Sequence, residues 1–222
     1  MGPAVGQSLP IAVGVLISPM PIVAVVLMLV SRKAKANGFS FLLGWIVGIA
    51  ALGSIVLLVA GAATPDASGP PAWASVVKIV LGVLLLLLAV SQWRGRPREG
   101  ASPQPPRWMS AIDAFTPVKA FGLAVLLGAV NPKNLLLVVS GAAAIAAATP
   151  ETSEQLGALA VFVVVASLGV AAPVAIYLAM GSRAATLLDG LKAWMIQNNA
   201  VIMAVLLLVL GAKMIGDGIT AL

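Results

Sequence analysis

Two short polar motifs interrupt apolar stretches of the sequence, and they hold the residues best suited to chemistry. Residues 18–21 read SPMP and residues 131–134 read NPKN, and each motif leads into a continuous apolar run. In both, a residue suited to helix capping precedes a proline, which is the pairing favoured at the cap and first position of a new helix. Because proline removes a backbone donor and clashes with the preceding turn, each stretch is predicted to break and restart as a helix.

Two restarted helices near the middle of a membrane predict a binding site for an anion. The first N–H groups of a helix lack partners within it, which is costly in hydrocarbon unless they face protein, water or a ligand. The positive ends of two such helices together favour negative charge, whereas two ordinary proline kinks would imply no site. The candidate substrate-binding residues are Ser18, Pro19, Pro21, Asn131, Pro132, Lys133 and Asn134.

Lys133 is the residue on which this hypothesis depends most. A lysine near the centre of a membrane span costs on the order of 3 kcal/mol and usually faces a cavity or a partner. The acidic residues nearest to the spans, Asp113, Asp189 and Asp217, lie at or near the ends of apolar stretches, so no internal counterion is obvious. An anionic substrate group would supply one. The alternative is that Lys133 pairs with backbone carbonyls and holds the fold together.

The elements that position these motifs are predicted from composition and hydropathy. Of the 222 residues, 61% are hydrophobic and 9% are charged, against roughly 25% charged in ordinary soluble domains. The chain is therefore predicted to be an all-α integral membrane protein with six transmembrane helices, the first and fourth of them broken at proline. The predicted spans cover residues 9–31, 39–61, 73–92, 117–148, 156–180 and 199–221.

The distribution of charge predicts how the spans are oriented. The connections after spans one, three and five carry nine of the 13 Lys and Arg residues, and the two intervening connections carry Asp66, Glu151 and Glu154. By the positive-inside rule, the basic loops are predicted to lie in the cytoplasm and both termini on the outer side of the cell membrane. This membrane is expected to be a plasma or inner membrane. The net charge of +6 is then a topology signal, and no nucleic-acid partner is expected.

The chain divides into two halves of three spans each. Residues 1–95 are predicted to form the first repeat, 96–112 a cytoplasmic linker and 113–222 the second repeat, and three crossings per half give the repeats inverted orientations. Residues 187–195 are predicted to form a short amphipathic helix on the inner membrane face. Gly44 and Gly48 favour close helix packing in span two, and a homodimer through that face is one expectation.

The composition also excludes several function classes. The chain has no His and no Cys, which rules out disulfides, thiolate metal sites and imidazole proton relays. It has no GxxxxGK[ST] loop and no buried carboxylate pair to act as acid and base. We therefore expect no cofactor, no metal and no enzymatic activity.

Beside the two proline motifs, the sequence contains FLLGWIVG after Gly38 and AVNPKNLLL in the fourth predicted span. In these segments it resembles the GAP family, the sulfolipid- and glycopeptidolipid-addressing membrane proteins. This family is grouped with the LysE exporter superfamily. The resemblance extends over essentially the whole chain. It implies a six-span, LysE-like exporter fold and a part in moving cell-envelope glycolipids outward. It also implies that the seven motif residues form the family's signature.

Three functions remain in view at this point. The first is an exporter or flippase-like translocator for an anionic amphiphile, with membrane lipids as its partners. The second is an exporter of a small solute such as an amino acid or a cation, for which the lack of a buried carboxylate is unfavourable. The third is a scaffold that helps envelope-lipid export without transporting anything.

Overall fold

The structure is a computed structural model that describes residues 1–31, 33–62, 72–96 and 115–220, and these residues form helices joined by short turns. No strand occurs in the described ranges. The helices are α1 (Gly2–Leu16), α2 (Pro19–Leu29), α3 (Ala34–Ala62), α4 (Ala72–Arg94), α5 (Pro117–Val125), a π-helical turn (Leu126–Val130), α6 (Pro132–Ala148), α7 (Thr152–Met180), a 3₁₀ turn (Gly181–Arg183) and α8 (Ala184–Ile219).

Four of these helices, α3, α4, α7 and α8, are long and apolar enough to cross a membrane. The pairs α1–α2 and α5–α6 also pass this test when each is taken together, but they bend by 51° and 62° at their breaks. The protein is therefore an all-helical, multi-pass membrane protein with four to six candidate spans. The two bent pairs coincide with the first and fourth predicted spans, where the proline motifs lie.

The core of the bundle is built around α3 and α7. Phe41, Trp45 and Ile49 project from successive turns of α3 and are fully buried. The indole Nε1 of Trp45 donates a hydrogen bond to the carbonyl oxygen of Ala166 in α7, 3.3 Å away. Around this pair, α5 packs on α3 and α1 packs on both α6 and α7. The bent pairs are thus held against two straight helices.

Glycines set how closely these helices approach each other. A Cβ at Gly44 would collide with the carbonyl oxygen of Phe121 in α5, and one at Gly48 would lie 3.2 Å from the Cα of Val125. The small-residue face of α3 therefore packs against α5 of the same chain, as its spacing predicts. A second close approach joins α4 to α8, where a Cβ at Gly82 would lie 2.8 Å from the carbonyl oxygen of Gly211 and one at Gly211 equally far from that of Gly82.

Contacts at the two ends of the bundle show which helix ends lie together. At one end, the Asn37 side chain at the start of α3 donates to Ser31 Oγ and to the carbonyl oxygen of Phe115, each at 3.1 Å. At the other end, the backbone nitrogen of Met1 contacts the carboxylate of Glu154 at the start of α7. The first end, which we call the basic end, holds Lys33, Lys35, Arg94, Arg96, Lys119 and Arg183.

The region before the last span differs from the prediction. Residues 187–195 are helical, but they do not form a separate helix, because α8 runs unbroken for 36 residues from Ala184 to Ile219. Leu188 and Met195 are buried, and Met195 packs with Ile22 and Val23 of α2. Leu187 and Trp194 are exposed. The predicted linker 96–112 lies outside the described residues, except for Arg96.

The packing of α3 on α5 predicts a stability difference between two glycine substitutions. Gly44→Ala places a methyl group against the α5 backbone, and such overpacking costs about 1–3 kcal/mol. Gly216→Ala in α8 is the control, because a Cβ there meets nothing within 4 Å. We expect a lower melting temperature in detergent for Gly44→Ala alone. Equal melting temperatures for the two variants would contradict the close approach of α3 and α5.

Candidate functional site

The first break separates α1 from α2 at Ser18, whose backbone is extended (φ −65°, ψ 110°). Pro19 occupies the first position of α2, where a missing N–H leaves nothing unpaired. The Ser18 hydroxyl does not cap α2, contrary to the role that the sequence predicts for it. Ser18 is only 2% exposed, and its Oγ turns instead toward α6.

The second break is built differently, because α5 ends in a π-helical turn. The Asn131 backbone N–H donates to the carbonyl oxygen of Leu126, five residues earlier, at 2.8 Å. The Asn131 side chain does cap the restarted helix, since its Oδ1 accepts a hydrogen bond from the Lys133 backbone N–H at 3.1 Å. Pro132 takes the first position of α6. The predicted break and restart are present at both motifs.

Lys133 joins the two breaks. Its Nζ donates to Ser18 Oγ at 2.7 Å and to the Met203 sulfur of α8 at 2.6 Å. Ser18 and Met203 are both buried, and Lys133 is partly buried. The side chain therefore ties α6 to the start of α2 and to the middle of α8. Three helices meet at one ammonium group.

The charge at this point is not balanced by any carboxylate in the part of the chain that the structure describes. The ion pairs found there are Met1 with Glu154, Lys192 with Asp189 and Lys213 with Asp217, and none of them involves Lys133. The N-terminal ends of α2 and α6 add partial positive charge near Lys133, and the carbonyl ends of α1 and of the π-helical turn add partial negative charge at the same breaks, so the net positive charge of the site comes from Lys133 itself. The described residues also include no cluster of acidic side chains that could hold a metal ion. The site is electrostatically suited to an anion.

The remaining predicted site residues lie apart from the ammonium group. Asn134 is buried, and its Nδ2 donates to the carbonyl oxygen of Leu127 at 2.8 Å, so it repairs the π-helical turn. Pro21 is buried within the first turn of α2, and Pro132 is exposed on the surface of the bundle at the second break. The structure thus brings together Ser18 and Lys133, with Asn131 on the same turn as Lys133.

Met203 is the contact that the sequence did not predict. It lies 70 residues after Lys133, within an apolar stretch in which a methionine is expected to be an ordinary packing residue of the core. A thioether is a weak acceptor, so it satisfies an ammonium group only partly. No sequence signal marks this position, because the contact depends on how α8 packs against α2 in the folded bundle.

Comparison with known protein families gives a match over most of the chain. A family model described as Sap, sulfolipid-1-addressing protein, matches residues 9–220, a range that includes both proline motifs, Lys133 and Met203. No curated protein and no solved structure matches the chain.

The contrast between two buried polar side chains of α6 predicts different substitution effects. Asn134→Leu leaves the Leu127 carbonyl oxygen without its donor inside the bundle, which costs about 1–3 kcal/mol. Ser140→Ala is the control, because the Ser140 hydroxyl is fully buried and has no hydrogen-bond partner in the described part of the chain. We expect a lowered melting temperature for Asn134→Leu and an unchanged or raised one for Ser140→Ala. Comparable losses in both would show that Asn134 does not stabilise the π-helical turn.

Proposed function

Because this chain belongs to the family of Sap, the sulfolipid-1-addressing protein, we propose that it is a membrane transporter that exports or flips an anionic amphiphile, such as a cell-envelope glycolipid. The headgroup binds at Lys133 between the two halves of the bundle, and the hydrocarbon tail stays in lipid. Transport requires no covalent chemistry from the protein, and no enzymatic step or cofactor is proposed.

The observation that carries this proposal is the unbalanced ammonium group of Lys133. Taking a charged group out of water costs several kcal/mol unless it is paired. In the described part of the chain its partners are one hydroxyl and one sulfur, both neutral. A sulfate or phosphate oxygen would be a stronger acceptor than either, since hydrogen bonds to charged groups contribute about 1.5–3 kcal/mol. An anionic headgroup supplies the counterion that the bundle lacks.

Helix packing supports the finer architecture of six spans in two inverted repeats. In two such repeats, α1, α2, α3 and α4 of the first half correspond to α5, α6, α7 and α8 of the second. The packing of α5 on α3 then corresponds to the packing of α1 on α7, and both are present. The corresponding helices α3 and α7 have 29 residues each, and the crossing of α4 and α8 corresponds to itself. The packing of α1 on α6 has no counterpart of similar extent. We propose that the two breaks are equivalent positions of the two repeats, as in the LysE-like exporter fold.

The positions of the charges support an orientation in the cell membrane. The basic end of the bundle would lie in the cytoplasm, and the end that holds Met1, Glu151 and Asp217 would lie outside. In this arrangement the substrate site faces each side in turn when the halves move. A homodimer stays a prediction, and the small-residue face of α3 is not available for it because α5 covers that face.

The direct test is headgroup-resolved lipid binding by native mass spectrometry, comparing the purified wild type with Lys133→Met. The probes are a sulfated galactosylceramide, phosphatidylglycerol, phosphatidylcholine and a free amino acid. We expect the wild type to bind the two anionic lipids more tightly than the other probes. In Lys133→Met we expect the ratio of anionic to zwitterionic lipid binding to fall about tenfold, which corresponds to about 1.4 kcal/mol. Lys213→Met is the matched control, because Lys213 pairs with Asp217 near a helix end.

The outcomes separate the three functions in view. Binding that is indifferent to headgroup charge and to Lys133 would overturn the proposal. Preferential binding of the amino acid would favour a small-solute exporter. If cells with folded Lys133→Met protein still export envelope lipid at the wild-type rate, the protein is a scaffold and Lys133 is structural.

The proposed orientation predicts a labelling pattern in intact cells. The sequence contains no Cys, so single cysteines can be introduced without a background. We expect Glu151→Cys to react with a membrane-impermeant maleimide added outside the cells, because Glu151 is exposed at the end of the bundle opposite the basic end. Lys35→Cys at the basic end is expected to react only after the membrane is permeabilised. The reverse pattern would mean that the bundle is inserted the other way round.

A further inference from the structure

The two helix breaks differ in how they are covered. At the first break, Ser18, Pro19 and Pro21 are all buried. At the second, Val130 is 58% exposed and Pro132 is also exposed, although Lys133 follows directly. A broken helix that faces lipid is unfavourable unless its polar groups are paired or face a ligand. The second break therefore reaches the surface of the bundle at Val130 and Pro132, and we call this surface position the exposed break.

An exposed apolar surface leads from the basic end of the bundle along α5 and the π-helical turn to the exposed break. Val118 and Gly122 lie in α5, and Leu126 and Val130 lie in the π-helical turn, at intervals of four residues. Val118 and Leu126 are 80% and 54% exposed, and a Cβ at Gly122 would meet nothing within 4 Å. This surface, which we call the α5 stripe, points away from α3, on which α5 packs.

The charges on this side of the bundle favour an anion over its whole length. Residues 115–148 contain two lysines, Lys119 and Lys133, and no Asp or Glu. Lys119 is exposed in the first turn of α5, at the basic end. Lys133 lies at the break, roughly 20 Å further along the helical path at about 1.5 Å per residue. The apolar stripe runs between these two cations.

The arrangement of Lys119, the α5 stripe and Lys133 matches the chemistry of an anionic lipid better than that of a water-soluble solute. A hydrocarbon tail is stable against Leu126 and Val130, whereas a polar solute there would lose its hydration without gaining partners. A negatively charged headgroup fits Lys119 at the membrane surface and Lys133 at the break. Ser18 and Met203, which contact the ammonium group, are both buried, whereas Val130 and Pro132, next to Lys133 in the chain, are exposed.

We infer that the anionic amphiphile reaches Lys133 sideways from the bilayer, along the α5 stripe and past the exposed break at Val130 and Pro132, with its tail remaining in lipid. The inference rests on the proposed function, which requires only that Lys133 binds the headgroup. It adds the route and assigns Lys119 and the α5 stripe to it. The buried first break takes no part in this route.

The experiment uses photo-crosslinking from single cysteines in the full-length chain. Val130→Cys is labelled with benzophenone maleimide, and the protein is reconstituted in vesicles that contain equal amounts of phosphatidylcholine and a sulfated galactosylceramide. Val47→Cys is the matched control, because Val47 is exposed on α3 and lies 13 residues from the start of its helix, as Val130 does from the start of α5. Lipid adducts formed on illumination are counted by mass spectrometry.

We expect the sulfated lipid to be enriched by threefold or more in the adducts of the Val130→Cys variant relative to those of the Val47→Cys variant. Adding Lys133→Met to Val130→Cys should return the lipid ratio to that of the control. Gly122→Leu, which fills the gap in the α5 stripe and leaves Lys133 unchanged, should lower the total adduct at position 130. Folding of each variant is checked by its melting temperature, and Gly122→Leu keeps the test decisive if Lys133→Met unfolds.

Equal lipid ratios at positions 130 and 47 would overturn the lateral route. If native mass spectrometry still shows a Lys133-dependent preference for anionic lipids in that case, the proposed function stands and the headgroup arrives by another path. If that preference is absent as well, the binding site itself fails. Enrichment at position 130 that persists in folded Lys133→Met protein would overturn the assignment of Lys133 as the end of the route.

Discussion

The structure depends on how a protein repairs backbone that proline has interrupted inside a membrane, where water cannot supply the missing hydrogen bonds. At the first break the Ser18 N–H donates to the carbonyl oxygen of Val15, so the turn closes on itself. At the second, the Asn131 N–H reaches back to Leu126, and Asn131 accepts from the Lys133 N–H. These three hydrogen bonds do not use the Ser18 hydroxyl or the Lys133 ammonium group, which therefore meet across the bundle.

Two lysines of the described chain contrast with the central one. Lys192 and Lys213 each pair with a carboxylate on the same helix. Among the described residues, Lys133 has no carboxylate partner, and its ammonium group contacts only a hydroxyl and a sulfur. In the proposed function, this positive charge binds the anionic headgroup.

The sequence predicts the interrupted helices well because proline acts locally, through its own ring and missing N–H. It also predicts the close packing at Gly44 and Gly48, since helix contacts need small residues there. It does not predict the π-helical turn, which depends on the Asn131 and Asn134 hydrogen bonds to Leu126 and Leu127. Nor does it predict Met203, whose contact with Lys133 arises from the packing of helices that are distant in the chain.

The unbroken course of α8 has a mechanical consequence. At about 1.5 Å per residue its 36 residues span roughly 54 Å, well beyond a hydrocarbon layer of about 30 Å. Trp194, exposed toward the basic end, and Met203, in contact with the ammonium group, therefore belong to one stiff rod. A displacement of the basic end of α8 would therefore be transmitted along the helix to the Met203 sulfur and would change its distance from Lys133.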